Sequence, residues 1–325
     1  MKNISEVFSF EGKQLVCSHQ SLVNNCEMTF AVFIPPKIKK PPVLWYLSGL
    51  TCSHLNVMEK GEYRKKAAEL GIAIICPDTS PRGEDIPDEK DNWQFGSGAG
   101  FYLDATEPPY DRNYNMYTYI IEELPSIIEN NFGFDMSRQS IFGHSMGGHG
   151  AIVMALRNPK KFKSCSAFAP IVEPSTASWS SDAFKKYIGL NQSDWQMYDS
   201  VALVKNGYHF PEILVDQGEA DSFLEEGLRP WLLEDACGKA GIKLNLRMQP
   251  NYDHSYFFIS TFMTKPTTND WRMILVPSPR IVTPNLYLLA NALAEASSST
   301  EYIAQKYSAV TGKLKLIKFE TSKFC

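Results

Sequence analysis

The sequence predicts an α/β protein in which helices cover both faces of a mainly parallel sheet. Short apolar runs rich in β-branched residues alternate with longer segments that carry apolar residues at helical spacing, which is the pattern of repeated strand–helix units. The later strands end near polar or glycine residues, and the carboxyl ends of parallel strands are where such sheets place their chemistry. A functional site is therefore expected at this edge of the sheet.

The predicted strands and helices alternate through most of the chain. The strands cover residues 28–34, 43–47, 72–76, 164–168, 212–215 and 244–248, and a further strand runs up to Ser145. The helices cover residues 59–70, 116–131, 146–157 and 222–232. Each strand is short and β-branched or aromatic, and each helix repeats its apolar residues every three or four positions.

Composition and charge favour a small-molecule substrate. The 325 residues are 44% hydrophobic and 21% charged, and the net charge of -4 is not gathered in one run, so neither nucleic acid nor a membrane is an expected partner. The seven cysteines form no CxxC pair or metal-ligand spacing. We therefore expect free thiols, no metal and a cytoplasmic location, and we find no signal peptide pattern near the N-terminus.

The segment Gly143-His144-Ser145-Met146-Gly147 predicts a nucleophilic serine. Gly-x-Ser-x-Gly between a strand and a helix is the nucleophile elbow, in which a sharp turn exposes the serine and the flanking glycines let strand and helix pass closely. The alternative is a glycine-rich turn with an incidental serine. The apolar strand before it and the small residues after it favour catalysis.

A serine hydroxyl needs a histidine base, and the histidine needs a carboxylate. His209 and His254 are the histidines after the elbow helix. We choose His254, which lies in a polar turn after a predicted strand, whereas His209 is expected to pack in or cap a loop.

The carboxylate is expected after the preceding strand, because serine, acid and histidine follow in this order in α/β-hydrolases. Three candidates occur there, Asp216, Glu219 and Asp221. We choose Asp221, since Asp216 ends the strand itself and is suited to capping the turn. The alternative for Asp221 is an N-cap of the helix predicted at 222–232.

Two backbone amides are candidates for the oxyanion hole, which stabilises the charge that develops on the carbonyl oxygen. Met146 follows the nucleophile, and Leu50 lies in the Ser48-Gly49-Leu50 turn after the strand at 43–47. The alternative for the second is an ordinary turn.

Several longer segments resemble one family, the S-formylglutathione hydrolases, also called esterase D. They lie in the same order over about residues 5–263 and comprise residues 47–52, 77–83, 95–102, the elbow, 166–170, 216–218 with Asp221 and 223–224, and 252–256.

The resemblance implies the α/β-hydrolase fold and a cytosolic, cofactor-free, commonly dimeric enzyme that also cleaves simple esters. By position it makes Ser145 the nucleophile, Asp221 the acid and His254 the base. Cys52 is similar to the family's cysteine near the nucleophile; the alternative is a small buried residue without a role.

After Thr264 the resemblance ends, where family members finish in a short helix but this chain continues. We predict a catalytic domain over residues 1–263 and a divergent C-terminal tail over 264–325, partly helical or disordered, with a helix at 286–293 and a strand at 314–319. The family's helix behind the histidine is expected to be missing. Trp179 and Phe184 are candidates to cover the pocket or to lie in the core.

The leading hypothesis is a serine thioesterase that converts S-formylglutathione to formate and glutathione in formaldehyde detoxification, with carboxylesterase side activity. One alternative is a general short-chain carboxylesterase. The other is a non-catalytic α/β-hydrolase scaffold impaired by its altered C-terminus.

Overall fold

A nine-stranded sheet forms the centre of the structure. The computed structural model describes residues 1–263, 304–307 and 314–317. The strands lie side by side in the order β1-β2-β3-β5-β4-β6-β7-β8-β9. They span β1 Lys2–Ser9, β2 Gly12–Gln20, β3 Glu27–Ile34, β4 Pro42–Leu47, β5 Ala73–Pro77, β6 Asp135–His144, β7 Phe162–Phe168, β8 Glu212–Gly218 and β9 Lys243–Gln249.

The sheet is mainly parallel, which confirms the predicted α/β class. Strands β1, β2, β3 and β5 pair antiparallel, whereas every pairing from β5 through β4 to β9 is parallel. The sequence prediction missed β1 and β2. All residues of β1 but the last are exposed, so this edge strand lacks the alternation of apolar and polar residues that identifies a half-buried strand.

The helices occupy the segments between the strands. They are α1 His54–Lys60, α2 Arg64–Leu70, α3 Met116–Thr118, α4 Leu124–Phe132, α5 Met146–Arg157, α6 Ser178–Ile188, α7 Gln192–Trp195, α8 Ser200–Lys205, α9 Pro230–Ala240 and α10 Tyr256–Met263. Between α3 and α4 the chain continues as a π-helical turn, Tyr119–Glu123. The predicted helix at 116–131 is thus present, with a π turn inside it.

Two predicted helices have different boundaries. The helix expected at 59–70 is interrupted, because Gly61 ends α1 and Glu62 has a positive φ of 54°. The prediction of a helix at 222–232 is wrong. A π-helical turn, Leu224–Leu228, is followed by Arg229 in the left-handed region, and α9 begins only at Pro230. Proline is favoured in the first turn of a helix and disfavoured in its interior, so Pro230 marks the start of α9.

The helix that was expected to be missing behind His254 is present. Helix α10 begins two residues after His254 and buries Phe258, Ile259, Phe262 and Met263. The ring of Phe258 packs edge-on against Phe168 of β7, with the ring centroids 5.8 Å apart. The expectation that this helix is missing is therefore wrong. The apolar residues of α10 all come before the point at which the chain departs from the family pattern.

The chain divides into two compact units, Met1–Leu275 and Val276–Cys325. In the second unit, β10 (Ala304–Tyr307) and β11 (Leu314–Ile317) pair antiparallel. The strand predicted at 314–319 is present over β11, and the helix predicted at 286–293 lies outside the described residues. Among the described helices, none has the length and apolar character needed to cross a bilayer.

The core of the first unit lies around the central strands and α5. Every residue of β4 and β5 is buried, and α5 is buried along all but its last residue. In the parallel register Leu47 of β4 lies beside Gly143 of β6, and His144 beside Phe168 of β7. The carboxyl ends of these strands therefore meet, as predicted, and the loops that follow them share one edge of the sheet.

We expect Gly147→Ala to destabilise the fold, because its Cβ would lie 2.0 Å from the carbonyl oxygen of Leu47. A backbone atom cannot yield as a side chain can, so the free energy of unfolding should fall by about 3 kcal/mol. Gly238→Ala is the matched control: this exposed glycine of α9 has no atom within 4 Å of an added Cβ, and the change should stabilise by about 0.5–1 kcal/mol. Chemical denaturation measures both, and equal stability of the two variants would contradict the packing argument.

Candidate active site

Ser145 lies at the sharp turn between β6 and α5, so the predicted strand–turn–helix is present. Its backbone has φ 58° and ψ −119°, a strained conformation for a residue with a side chain. The Ser145 N–H donates to the carbonyl of Phe168 at 2.9 Å, and the Ser145 carbonyl accepts from the His149 N–H at 2.9 Å. The surrounding backbone thus holds the strained residue from both sides.

The flanking glycines serve the close approach that the motif predicts. A Cβ on Gly143 would lie 2.3 Å from the Gly147 carbonyl oxygen, and a Cβ on Gly147 would collide with β4 at Leu47. Real Cβ atoms do not come so close to backbone atoms, so no other residue fits at either position without a shift of strand or helix.

Asp221 and His254 are joined by a short hydrogen bond, in which His254 Nδ1 lies 2.5 Å from Asp221 Oδ2. The Asp221 side chain is fully buried. Its Oδ1 accepts from the Phe223 N–H at 2.9 Å, and its Oδ2 also accepts from Gln217 Nε2 at 3.2 Å. Asp221 therefore binds the Phe223 N–H within a turn through one oxygen and contacts His254 through the other. The helix at 222–232 that it was expected to cap is not present, and its role as the acid stays a prediction.

The other carboxylates and the other histidine lie elsewhere. Buried Asp216 accepts from both Nε and Nη2 of Arg247 and, at 2.7 Å, from Gln249 Nε2. Glu219 is exposed, and so is His209, which therefore does not pack in its loop as expected. The structure thus separates a structural aspartate on β8 from the one that contacts His254.

Ser145 and His254 line one pocket of about 320 Å³, called here the Ser145 pocket. The other residues that line it are Gly49, Leu50, Thr51, Trp93, His144, Phe223 and Leu228. Among these described lining residues there is no lysine, arginine or carboxylate. The pocket is therefore mostly apolar, and its polar side chains are those of Ser145, Thr51 and two histidines, which suits the reactive part of a neutral ester or thioester.

The loop after β4 brings Leu50 to this pocket. A Cβ on Gly49 would lie 3.1 Å from the Ser145 Cβ, so glycine allows the loop to pass directly beside the serine. The Gly49 carbonyl accepts from the Cys52 N–H at 3.3 Å inside a turn. Because the peptide is planar and trans, the Leu50 N–H points out of that turn. The Met146 N–H stands at the first residue of α5, where backbone donors have no partner within the helix.

Cys52 lies on the same loop but does not line the Ser145 pocket. Burial raises the pKa of its thiol above the usual range, despite the nearby charge of Lys60. The thiol is therefore protonated at neutral pH and weakly nucleophilic. Cys52 is only partly buried, unlike the other cysteines of the described residues, and its role near the nucleophile stays a prediction.

Sequence reasoning missed four lining residues, Trp93, His144, Phe223 and Leu228. The His144 ring centroid lies 4.4 Å from that of His254. Burial, and then the neighbouring His254, hold the pKa of His144 well below its usual range, so it is neutral beside the base. Its place next to Ser145 in the Gly-x-Ser-x-Gly motif could have indicated that it lines the pocket.

Aromatic residues form the outer wall of the Ser145 pocket. Phe223 packs edge-on against His254, with centroids 5.0 Å apart, and Trp93 lies 6.5 Å from Phe223. Nothing in the local pattern around Trp93 indicates this. Phe184, the other candidate, is buried in the core against Phe101, and the side chain of Trp179 lies outside the described residues.

The geometry agrees with comparisons against known proteins. A family model described as "Putative esterase" matches residues 21–277. S-formylglutathione hydrolases from Bos taurus and Mus musculus are each 49% identical over 268 residues, which cover 81% of this chain and 95% of each relative. A solved structure of an S-formylglutathione hydrolase from Agrobacterium tumefaciens has a TM-score of 0.83 and 60% identity, covering 84% of this chain and 100% of its own.

We expect Asp221→Asn to lower catalytic activity and Asp216→Asn to lower stability. Asp221→Asn should lower kcat on a nitrophenyl acetate by roughly 10³–10⁴, because the amide cannot hold the imidazole in its tautomer or stabilise its cation. Asp216→Asn should spare kcat but lower the free energy of unfolding by roughly 2–4 kcal/mol, since it leaves Arg247 facing a neutral partner. Steady-state kinetics and urea denaturation measure the two. Loss of activity in Asp216→Asn at full stability would reverse the assignment of the acid.

Proposed function

The chain belongs to the S-formylglutathione hydrolase family, and we propose that it hydrolyses S-formylglutathione to formate and glutathione. Ser145 is the nucleophile, His254 the general base and Asp221 the acid that orients it. The observation that carries the proposal is the hydrogen bond of His254 Nδ1 to buried Asp221, together with the apolar pocket that His254 and Ser145 both line. This arrangement is the chemistry of acyl transfer through a serine ester.

The first half of the reaction forms a formyl-enzyme. His254 Nε2 takes the proton from the Ser145 hydroxyl as the oxygen attacks the thioester carbonyl. The Asp221 carboxylate stabilises the imidazolium through the Nδ1 hydrogen bond. The amides of Leu50 and Met146 stabilise the negative charge on the carbonyl oxygen. Collapse of this intermediate breaks the carbon–sulfur bond, and the glutathione sulfur leaves with the proton from His254.

The second half releases formate. His254 removes a proton from water, the hydroxide attacks the formyl ester of Ser145, and the same two amides stabilise the second oxyanion. The serine oxygen then leaves with the proton from His254. The neutral state of His144 supports this role of His254, because a second positive charge 4.4 Å away would oppose formation of the imidazolium.

A general short-chain carboxylesterase is the second candidate. The described lining of the Ser145 pocket holds no cation for the carboxylates of glutathione, so those groups have to be recognised outside it. The apolar pocket itself suits simple esters, which supports carboxylesterase side activity. The scaffold hypothesis is disfavoured by the Asp221–His254 hydrogen bond and by helix α10 behind the histidine.

The domain and location assignments are also proposals. The proposed catalytic domain comprises residues 1–263, in which every residue named here for the site lies, and residues 264–325 are the proposed divergent tail. Cys17, Cys26, Cys52, Cys76 and Cys237 of the described part of the chain are free thiols, which supports a reducing compartment such as the cytoplasm. The homodimer implied by the resemblance stays a prediction, to be measured by sedimentation.

We expect Ser145→Ala to lower kcat by roughly 10⁵–10⁶ on both S-formylglutathione and a nitrophenyl acetate, because the acyl-enzyme can no longer form. Spectrophotometric assays of the two substrates test this. In the unsubstituted protein the thioester should have the higher kcat/KM. Brisk turnover of the aryl ester with poor turnover of the thioester would favour the carboxylesterase, and inactivity on both would favour the scaffold.

We expect a chain that ends at Leu275, the boundary of the first compact unit, to keep kcat/KM within about twofold of the full chain, because a compact domain with its own core folds alone. The same assays and a thermal melt compare the two proteins. A folded but inactive shortened chain would show that residues beyond 275 complete the site.

A further inference from the structure

The carbonyl of Cys52 accepts two side-chain hydrogen bonds at once. Thr79 Oγ1 donates at 2.5 Å and Arg82 Nη2 donates at 2.9 Å. Cys52 ends the loop at residues 49–52, whose Leu50 amide is one proposed oxyanion donor. Side chains from the loop after β5 therefore fix the far end of the loop that follows β4.

A single buried carboxylate holds both donors. Asp78 Oδ1 accepts from the Thr79 N–H at 2.7 Å. Arg82 Nε lies 3.0 Å from Asp78 Oδ2, and Arg82 Nη2 lies 3.1 Å from Oδ1. Asp78 is 4% exposed, and such a fork of a guanidinium on a carboxylate has one geometry. Arg82 can therefore reach Cys52 only from a fixed direction.

The loop needs such a restraint. Thr51, in its centre, has a φ of 64°, which is unfavourable for a β-branched residue. The Thr51 N–H donates to the Gly98 carbonyl at 2.9 Å, and Tyr102 Oη donates to the Ser48 carbonyl at 2.9 Å. A strained backbone persists only where its surroundings over-determine it. The contacts at Ser48, Thr51 and Cys52 meet this requirement on both sides of Leu50.

We propose that Asp78, Thr79 and Arg82 form a clamp on the Cys52 carbonyl, the Cys52 clamp, which positions the Leu50 amide as an oxyanion donor. This inference rests on the proposed function of Ser145. Thr79 and Arg82 are positioning residues, since neither lines the Ser145 pocket. Their effect is exerted through the loop backbone.

A clamp on an oxyanion donor has a recognisable kinetic effect. The oxyanion exists only in the intermediates and the transition states that lead to them, so a displaced amide weakens those states and leaves substrate binding nearly unchanged. Loss of the clamp should therefore lower kcat while KM is retained. A residue that only stabilised the fold would lower the melting temperature and leave the kcat of the folded enzyme unchanged.

The test compares four variants of the full chain. Arg82→Ala and Thr79→Val remove the two donors to Cys52, and each should lower kcat on a nitrophenyl acetate and on S-formylglutathione by about 10- to 100-fold. KM should stay within about threefold. Arg82→Lys, which keeps the charge but not the fork, should recover part of kcat. Thr79→Ser, which keeps the hydroxyl, should recover most of it.

Arg138→Ala is the matched control. Arg138 also binds a nearby carboxylate through Nε, Asp135 at 2.7 Å, and a backbone carbonyl through Nη2, Lys40 at 3.4 Å. It lies near the start of β6, whereas Ser145 follows the end of that strand. This substitution should leave kcat unchanged, so it separates the loss of a surface ion pair from the loss of the clamp.

Two further measurements make the proposal specific. An aryl trifluoromethyl ketone, whose adduct with serine carries an oxyanion, should lose affinity in Arg82→Ala by the same factor as kcat. The double variant Arg82→Ala/Thr79→Val should lose less than the product of the single losses, because both side chains act on one carbonyl. If the double variant loses kcat by the full product of the two single losses, Thr79 and Arg82 do not act together on the Cys52 carbonyl.

The proposal is overturned if Arg82→Ala and Thr79→Val, folded as judged by their melting temperatures, keep the kcat of Arg138→Ala. If Arg82→Ala does not fold, Thr79→Val against Thr79→Ser decides alone. A wild-type chain that cleaves the aryl ester but not the thioester would contradict the proposed substrate, and the clamp would still be decided on the ester. A chain inactive on both substrates would overturn both proposals.

Discussion

The backbone of β4 and the first turn of α5 approach so closely that no side chain fits between them. The Leu47 carbonyl oxygen lies 2.0 Å from where a Cβ of Gly147 would stand, and a Cβ on Gly143 would lie 2.3 Å from the Gly147 carbonyl oxygen. This approach turns the chain at Ser145 and places the loop after β4 against the serine. The parallel register also aligns the ends of β7 and β8, so the loop that carries Asp221 begins at the same edge of the sheet. The site therefore depends on backbone packing before it depends on any functional side chain.

Burial and the neighbouring groups together give similar side chains different chemistry. Asp216 and Asp221 are both buried, but the guanidinium of Arg247 neutralises the first and the imidazole of His254 contacts the second. The histidines divide in the same way. Burial lowers the pKa of His149 to about 4, and its Nε2 lies 3.1 Å from the Phe101 carbonyl, so it is a neutral donor to that carbonyl. His254 is partly exposed instead, and its Nδ1 contacts the Asp221 carboxylate.

Sequence predicted the parts of this arrangement that local constraints determine. The elbow requires Gly143 and Gly147 within five residues of one another, and the strands before it are continuous apolar runs. The sequence therefore predicts both the elbow and these strands. Strand β1 was not predicted, because its exposed edge has no burial pattern. The π-helical turn at Leu224–Leu228 was not either, since its apolar spacing resembles that of an α-helix and only Arg229 and Pro230 mark its end. Trp93 reaches the pocket through tertiary packing alone, which no local pattern records.

The position of α10 bears on how a chain can diverge after His254 and still keep its site. The His254 loop is held at one end by Asp221, and at the other by a helix whose Phe258 packs on Phe168, in the strand next to the elbow. Tyr252, before the histidine, also packs against Phe262 of that helix, with ring centroids 4.9 Å apart. These supports lie at or before Met263, where α10 ends. A change of sequence after that residue leaves every one of these contacts in place, so the geometry of the proposed base, His254, is set by the part of the chain that follows the family pattern.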